Sequence, residues 1–310
     1  MAIENVALNN ISVFKYLNLN MSPGINIIIG ENGTGKTHLL KMIYFSYIDR
    51  KYILEEKYMR KYDNKSIYSP NAVITYNKNE TCWIQEDGKK FKDKNEKDPV
   101  YIPVTEMLSH SKGFLALNSK YRIPFDPTEI DIISNAELPE TREVSELNKK
   151  VLDKISSIID GEVVYENDTF YILKSDGFKV EFSVEAEGLR KFGLLFKLIR
   201  NGLIEDGSVI LWDEPEANIN PELIPMLVDI LLELQSAGVQ IFISTHSYNL
   251  AKYFEVKRSE KDQVLFHSLY KNGNEVLSQT EEYFGKLSNN KIILADEKLL
   301  DEVFEKNLED

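Results

Sequence analysis

The spacing of hydrophobic residues changes several times along the chain, and each change predicts a helix or a strand. Residues 25–29 are almost entirely isoleucine and follow Pro23-Gly24, which predicts a short buried strand after a turn. Hydrophobic residues at helical spacing occupy 38–47, so a helix is predicted there. Upstream, positions 3–17 alternate loosely between hydrophobic and polar, as in two strands folded back on each other.

The rest of the chain carries further patterns of both kinds. Alternating or continuous hydrophobic runs predict strands at 72–76, 82–85, 100–104, 162–165, 169–173, 178–184, 209–212 and 239–243. Helical spacing predicts helices at 144–159, stopped by Gly161, at 189–199, ended near Gly202, and from Asn220-Pro221 to Gln235. Prolines and a glycine predict that 111–143 is rich in loops. Residues 296–310 are predicted to form a short acidic amphipathic helix that docks either on the chain's own core or on a partner.

The composition narrows the classes of function. The chain has 310 residues, of which 43% are hydrophobic, and this suffices for one large domain or two modest ones. The formal net charge of −13 argues against a protein whose whole surface binds nucleic acid, and the lysine-rich segment 87–98 is typical of a solvated loop. The single cysteine, Cys82, fits a reducing compartment, and no signal-peptide or membrane-spanning pattern is present. We therefore expect a soluble, cytoplasmic protein without a membrane partner.

A glycine-rich segment lies between the first buried strand and the helix after it. Residues 30–37 read GENGTGKT and match the pattern G-x-x-x-x-G-K-[ST]. In this setting the glycines let successive backbone N–H groups point at a phosphate, and the start of the helix adds positive potential. Lys36 is expected to reach the β- and γ-phosphates, and Thr37 to place its hydroxyl on Mg²⁺. We therefore predict a nucleotide-binding segment that comprises Asn32, Gly33, Thr34, Gly35, Lys36, Thr37 and His38.

Polar residues follow two of the predicted buried strands. Asp213 and Glu214 come after 209–212, at the edge where parallel sheets bind their ligands. We predict that Asp213 holds Mg²⁺ through water and that Glu214 takes a proton from an attacking water. The simpler alternative is that both acids cap the next turn, which the phosphate-loop pattern disfavours. His246, after 239–243, is predicted to hydrogen-bond the γ-phosphate or the attacking water.

Two further features each allow two interpretations. The segment EAEG ends at Gly188 and opens a predicted helix, which fits a second anion site or an ordinary helix cap equally well. Phe14 and Tyr16 lie one strand before the phosphate loop, where an aromatic ring could stack on a nucleotide base. Burial in the sheet is the commoner fate of such aromatic residues.

The order of these segments resembles that of a known family. GENGTGKT, EAEGLRKF, VILWDEPEANINP and IFISTHS follow one another as in the heads of ABC-type ATPases, in particular the SMC-like and overcoming-lysogenization-defect-like group of bacterial defence systems. The resemblance covers residues 1–50 and about 180–256. It implies that GENGTGKT is the Walker A segment, that Asp213 and Glu214 are the Walker B pair, and that His246 is the switch histidine. The resemblance also implies that residues 217–220 are the D-loop.

The resemblance also implies a signature segment at Ala186, Glu187 and Gly188. In the family this segment contacts the γ-phosphate bound by a second subunit. Here Ala186 stands where a serine is usual, and only Gly188 keeps the family pattern. Glu106, after the strand predicted at 100–104, is the candidate for the Q-loop residue.

The implied fold class is α/β: a P-loop NTPase of ABC-ATPase type, with a mainly parallel central sheet flanked by helices and an additional antiparallel β layer. Strands at 25–29, 100–104, 209–212 and 239–243 would form the parallel sheet. We expect a single domain over 1–310, with a core of 1–50 and 161–275, an inserted lobe at 51–160, and an acidic helical tail at 276–310.

The function implied by the resemblance is an ATPase that uses ATP and Mg²⁺ and closes into a head-to-tail homodimer when ATP is bound. The chain holds no nuclease-like cluster of its own, so we expect it to regulate a separate effector, a nuclease or a toxin, in bacterial antiviral defence or genome maintenance. The alternatives are a transporter ATPase subunit and a scaffold whose ATP site turns over little. Whether DNA binds is left open.

Overall fold

The computed structural model describes residues 2–48, 61–62, 65–66, 71–76, 80–84, 97–121 and 123–309. The chain divides into two compact units, one made of residues 1–98 and 242–310 and the other of 99–241. In chain order, the elements are β1 (Ile3–Ile11), β2 (Phe14–Asn20), β3 (Ile25–Gly30), α1 (Lys36–Tyr47), β4 (Lys61–Tyr62), β5 (Lys65–Ser66), β6 (Asn71–Tyr76), β7 (Glu80–Ile84), β8 (Val100–Ile102), α2 (Phe114–Tyr121), α3 (Pro127–Ala136), α4 (Glu146–Ile159), β9 (Gly161–Glu166), β10 (Thr169–Lys174), β11 (Lys179–Glu181), α5 (Glu187–Arg200), β12 (Val209–Asp213), α6 (Ile224–Ser236), β13 (Gln240–Thr245), α7 (Tyr248–Lys257), β14 (Val264–Asn272), β15 (Glu275–Glu281) and α8 (Lys291–Glu309).

The first unit contains the strand and helix that flank the phosphate loop. All six residues of β3 are buried, as the isoleucine run predicts, and α1 follows the loop directly. β3 lies between β13 and β14 in its sheet and pairs with β14 in parallel. The N-terminal strands β1 and β2 pair antiparallel, as predicted, and β6 and β7 extend their sheet. The turn between β6 and β7 and most of the lysine-rich loop predicted at 87–98 lie outside the described residues.

The hairpin of β14 and β15 was not predicted from the sequence. It forms antiparallel pairs from Phe266 opposite Glu281 to Asn272 opposite Glu275, around the two-residue turn Gly273-Asn274. A Gly-Asn pair between two strand-like runs is a hairpin signal, so this element could have been found. The hairpin matters because β14 runs beside β3 and ends next to the phosphate loop: Leu269 is paired with Gly30.

The second unit carries the helices around β12, whose five residues are all buried. β8 pairs with β12 in parallel, with Val100 opposite Ile210. The expectation that 111–143 is rich in loops was wrong, because α2 and α3 occupy much of it. Asp126 caps α3 by accepting from the Thr128 N–H, Pro127 opens the helix, and Glu129 completes a capping box. Proline at the first helical position starts a helix here instead of breaking one.

The additional antiparallel layer consists of two separate sheets. β9, β10 and β11 form a sheet of their own in the second unit, whereas β1 and β2 join β6 and β7 in the first. The strand predicted at 178–184 is shorter, because residues 182–184 form a 3-10 turn that buries Phe182. Asn220 caps a 3-10 turn over Pro221–Leu223, and α6 begins only at Ile224.

The C-terminal part of the chain differs in length from its prediction. The tail expected at 276–310 begins inside strand β15, and α8 has 19 residues, more than the predicted short helix. Leu299, Leu300, Val303 and Phe304 on α8 are exposed in the structure. No helix in the described ranges is long and hydrophobic enough to cross a membrane.

Candidate nucleotide site

The phosphate loop has the backbone that its glycines predict. Gly33 and Gly35 have φ angles of 77° and 88°, in the left-handed region that favours glycine. A Cβ on Gly35 would lie 2.6 Å from Phe14 Cζ, and one on Gly30 would lie 2.3 Å from the Leu269 carbonyl oxygen. The N-cap of α1 is Gly35, which has no side chain with which to cap the helix. These features fit a cradle for phosphate.

The Lys36 side chain is folded into this loop. Lys36 is only 6% exposed, and its ammonium donates to the carbonyl of Gly30 at 2.8 Å and to that of Glu31 at 3.3 Å. The Thr34 hydroxyl donates to the same Glu31 carbonyl at 2.8 Å. The loop therefore positions a buried cation beside its own backbone, where a phosphate would be bound.

The turn between β1 and β2 packs against the loop and the start of α1. The Ser12 hydroxyl and the Nδ1 of His38 form a hydrogen bond, and Val13 and Phe14 lie against Gly35. Phe14 is fully buried, so the option that it stacks on a nucleotide base was wrong, and its ring instead supports the loop. Tyr16 on the same strand is 64% exposed.

The predicted switch histidine belongs to the same unit. His246 is an exposed residue that follows the buried end of β13. The Ser247 hydroxyl caps α7 by accepting from the Leu250 N–H at 3.2 Å, and the Ser247 N–H donates to the Thr245 hydroxyl at 2.9 Å. These bonds set the backbone on both sides of His246.

The predicted Walker B pair lies at the end of β12 in the second unit. Asp213 is 3% exposed, and the Tyr101 hydroxyl donates to its carboxylate at 3.4 Å. Glu214 has a φ angle of 46°, a left-handed conformation that is uncommon for a residue with a side chain. Strained backbone of this kind clusters at functional sites, which agrees with the role predicted for Glu214.

The predicted signature segment contacts the D-loop of the same chain. Gly188 is buried in the first turn of α5, and a Cβ there would lie 3.0 Å from the carbonyl oxygen of Asn218. Asn218 itself has a φ angle of 62°. Ala186 is the exposed N-cap residue of α5, and Glu187 opens the helix. The glycine is thus required by a close approach of two backbone segments.

Lys191, one turn after Gly188, was not identified from the sequence. Its ammonium donates to the main-chain carbonyl of Glu214 at 3.2 Å, and the residue is 2% exposed. Burial lowers the pKa of Lys191, and the nearby carboxylates of Glu187, Glu216 and Glu214 act against this shift. The one signal for it in the sequence is a lysine on the apolar face of a predicted helix. A lysine in such a place is rarely buried unless it has a polar or charged partner.

Glu106, the candidate for the Q-loop residue, is bound within the second unit. Its carboxylate accepts from the backbone N–H groups of Leu108 at 2.5 Å and Ser109 at 3.2 Å, and pairs with Arg190 at 3.2 Å. The Glu106 side chain is 1% exposed. It therefore ties the segment after β8 to helix α5, and its contact with a nucleotide stays a prediction.

The structure brings the predicted residues together in two groups. Residues Asn32 to His38 form the end of the loop and the start of α1 in the first unit, which also holds His246, whereas Asp213, Glu214 and the predicted signature segment lie in the second. Within the described part of the chain, no group of three or more His, Cys, Asp or Glu side chains could hold a metal ion.

Comparisons with known proteins find relatives of two kinds. A family model described as "AAA domain, putative AbiEii toxin, Type IV TA system" matches residues 103–252, just under half of the chain. The DNA replication and repair protein RecF of Lactobacillus acidophilus is 26% identical over 170 residues, which are 53% of this chain and 40% of that protein. RecF of Clostridium novyi is 28% identical over 157 residues, 48% of this chain and 40% of its own length. The chain thus spans well under two thirds of these relatives.

Solved structures extend the similarity over nearly the whole chain. The SMC head domain from Thermotoga maritima aligns with a TM-score of 0.55 and 12% identity, and covers 91% of this chain and 100% of its own. The Smc head domain from Pyrococcus furiosus, solved with an extended coiled coil and bound to the C-terminal domain of ScpA, aligns with a TM-score of 0.56 and 10% identity, over 97% of this chain and 99% of its own. The chain therefore has the α/β fold of SMC head domains, which confirms the predicted fold class.

Proposed function

We propose that this chain binds Mg-ATP at its phosphate loop and hydrolyses it as an ATP-gated, dimerising switch. The observation that carries the proposal is the loop itself, where two glycines in left-handed backbone and the buried ammonium of Lys36 meet at the start of α1. This arrangement suits a polyanionic phosphate chain and little else. The similarity to P-loop ATPases of the SMC and RecF types supports ATP as the nucleotide.

Each predicted residue has a role in this proposal. On binding, Lys36 exchanges its two loop carbonyls for the β- and γ-phosphate oxygens, and Asn32 to His38 hold the phosphates through backbone N–H groups and side chains. Thr37 and Asp213 would hold Mg²⁺, which when bound would neutralise part of the phosphate charge. Glu214 orients the attacking water and accepts its proton. His246 forms a hydrogen bond with the γ-phosphate or with the attacking water.

Closure requires a second copy in this proposal. Ala186, Glu187 and Gly188 of one copy would cover the nucleotide of the other and exclude bulk water. Hydrolysis would then release the head-to-tail homodimer. The Pyrococcus furiosus Smc head was solved with a partner domain, which supports the idea that heads of this fold also bind other proteins.

The biological setting has two candidates, each favoured by one comparison. The family model that names a toxin of a type IV toxin–antitoxin system favours a switch that controls a separate effector, a nuclease or toxin, in antiviral defence. The RecF relatives favour a DNA-associated role in genome maintenance. The net charge of −13 argues for the protein effector, because a DNA-binding surface would have to be locally basic.

The solution mass of Glu214→Gln tests the proposal. We expect this variant to bind ATP, to hydrolyse it at least about 100-fold more slowly than the parent, and to double in mass only with Mg-ATP. Light scattering coupled to gel filtration, with Mg-ATP, with ADP and without nucleotide, measures the mass. Lys36→Ala should bind no ATP and keep one mass throughout.

The variant Glu222→Gln is the matched control, because Glu222 is an exposed carboxylate after the D-loop in the same unit. It should hydrolyse ATP at the parent rate. Hydrolysis by Glu214→Gln at the parent rate would show that another group is the base. If every variant has the same mass with and without nucleotide, the dimerising switch is refuted and only the proposed nucleotide binding remains.

A further inference from the structure

The phosphate loop contains an acidic residue, Glu31, directly after Gly30. A carboxylate at this place opposes the negative charge of a bound triphosphate, because like charges at short distance destabilise each other. The main-chain carbonyl of Glu31 already accepts from Thr34 and Lys36 inside the loop. The side chain is 29% exposed, so solvent only partly screens its charge.

A lysine from the other end of the chain neutralises this carboxylate. The ammonium of Lys291 lies 2.9 Å from Glu31 Oε1 and 3.2 Å from Oε2, so it contacts both oxygens. Lys291 is the first residue of α8. The backbone before it is fixed on the β14–β15 hairpin, because the Ser268 hydroxyl donates to the Asn289 carbonyl at 2.9 Å and Gln279 accepts from the Ser288 and Asn289 N–H groups.

A second lysine reaches the same turn of the loop from β14. The ammonium of Lys271 donates to the Asn32 carbonyl at 3.2 Å and lies over Gly33, where it would be 3.2 Å from a Cβ. Both lysines come from a C-terminal region that none of the phosphate-loop motifs includes. Together they place positive charge around a turn whose own side-chain charge is negative.

We propose that Lys291 is a positioning residue of the nucleotide site, which cancels the charge of Glu31 and thereby sets the affinity of the loop for triphosphate. This inference rests on the proposed binding of ATP. It has a regulatory consequence, since Lys291 belongs to α8 and any partner that shifts the start of this helix would also remove the neutralising charge. The exposed apolar side chains of α8, from Leu299 to Phe304, lie further along the same helix.

A double-mutant cycle between Glu31 and Lys291 tests this inference. In the full-length chain, Lys291→Met should weaken Mg-ATP binding by about fivefold at low salt, as expected for losing one partly screened charge near a polyanion. The loss of affinity should be smaller for ADP than for ATP. It should also be smaller in about 0.5 M salt, because salt screens the interaction between the charges. In the Glu31→Gln background the same substitution should change the affinity by less than about twofold, because no carboxylate remains to hold the ammonium of Lys291 beside the loop. Isothermal titration calorimetry measures all four proteins.

Two further variants separate this role from a structural one. Lys291→Arg keeps the charge and should restore the parent affinity. Lys15→Met removes a matched surface lysine, whose side chain is 64% exposed against 62% for Lys291 and which pairs with Glu275 at 2.7 Å; it should leave ATP affinity unchanged. Thermal unfolding without nucleotide should be similar for both methionine variants, because exposed ion pairs contribute little to stability.

The outcomes are distinct. An affinity of Lys291→Met equal to that of the parent, or the same loss in the parent and Glu31→Gln backgrounds, would overturn this inference and leave the proposed function standing. A parent chain that binds no ATP at all would overturn the proposed function and the inference with it.

Discussion

The ammonium of Lys191 donates to the main-chain carbonyl of Glu214 at 3.2 Å. It thereby connects helix α5, which carries the predicted signature segment, to the residue proposed as general base. The same carbonyl accepts from the Ala217 N–H at 3.1 Å. Since Glu214 adopts a φ angle of 46°, its backbone needs such bonds to stay in an uncommon conformation. Helix α5 therefore helps to hold the backbone of Glu214, the proposed base.

We predict that Lys191→Met lowers the kcat of ATP hydrolysis by roughly 10- to 100-fold, because a base displaced by a fraction of an ångström loses alignment with its water. The KM for ATP should change little, since Lys191 belongs to neither the phosphate loop nor its supports. Steady-state kinetics measures both. The control is Lys197→Met on the same helix, whose side chain is 5% exposed and pairs with Glu140. If both variants lose stability and neither loses kcat, Lys191 has no positioning role.

Gly188 gives a second prediction. A Cβ at this position would lie 3.0 Å from the Asn218 carbonyl oxygen and 3.2 Å from the Ile219 Cα, so backbone would have to move. We expect Gly188→Ala to lower the free energy of unfolding by about 1–3 kcal/mol, as overpacking usually does. ATP hydrolysis should fall as well, because the displaced D-loop follows Glu214 directly.

Chemical denaturation and ATPase rates check this prediction. The comparison is Gly285→Ala, where a Cβ would meet its nearest neighbour, Glu255, only at 3.8 Å. That substitution should leave both quantities near the parent values. Equal behaviour of the two alanine variants would show that the contact between Gly188 and the D-loop does not matter.

Glu106 gives a third prediction, which concerns stability. Its carboxylate accepts from two backbone N–H groups and from Arg190, and it is almost completely buried. In Glu106→Gln, an amide NH₂ would face at least one donor, and the guanidinium would lose its charged partner. We expect a loss of about 3 kcal/mol in the free energy of unfolding, in the range found when one partner of a buried ion pair is removed.

The matched substitution is Glu140→Gln. Glu140 also pairs with basic residues of α5, with Arg200 at 2.7 Å and Lys197 at 3.1 Å, but its side chain is 36% exposed. It should cost less than Glu106→Gln, because the Glu140 carboxylate is partly screened by water whereas that of Glu106 is buried. Urea unfolding measures the free energy of unfolding of both variants. Similar small losses in the two would contradict the stabilising role of the buried Glu106 carboxylate.

His267 predicts a pH dependence of stability. The residue is fully buried on β14, where Nδ1 lies 2.9 Å from the Thr280 hydroxyl and Nε2 lies 3.2 Å from the Asn26 side-chain oxygen. The Asn26 amide nitrogen already donates to the Ser22 carbonyl, so its oxygen acts as acceptor and Nε2 carries the proton. Nδ1 then accepts from Thr280. Burial lowers the pKa of this imidazole to about 4.

The unfolded chain, with a histidine pKa near 6.5, therefore binds a proton more readily than the folded chain. The free energy of unfolding should fall as the pH drops from about 6.5 toward 4, by about 3 kcal/mol from this residue when the change is complete. Urea unfolding at several pH values measures the slope. His267→Gln should flatten it in this window, and an unchanged slope in that variant would contradict the assignment.

Local pattern was enough to predict the parts of the site that are contiguous in sequence. The isoleucine run of β3, the glycines of the loop and the helical spacing after them predicted strand, turn and helix at the observed places. The acids after β12 were found in the same way. The helices α2 and α3 were missed because Gly113 and three prolines indicate loops, although Asp126-Pro127 with Glu129 is a capping box that starts α3.

What the sequence by itself determined is the phosphate loop, the buried strands and the fold class, because each depends on residues a few positions apart. Only the tertiary structure decided which distant side chains support that loop and the base. Lys191 is 23 positions from Glu214, and Lys291 is 260 positions from Glu31. Hydrophobic periodicity shows which face of a helix or strand is buried but not which element lies against it. Charges, hydrogen bonds and close backbone approaches between elements therefore emerged only with the fold.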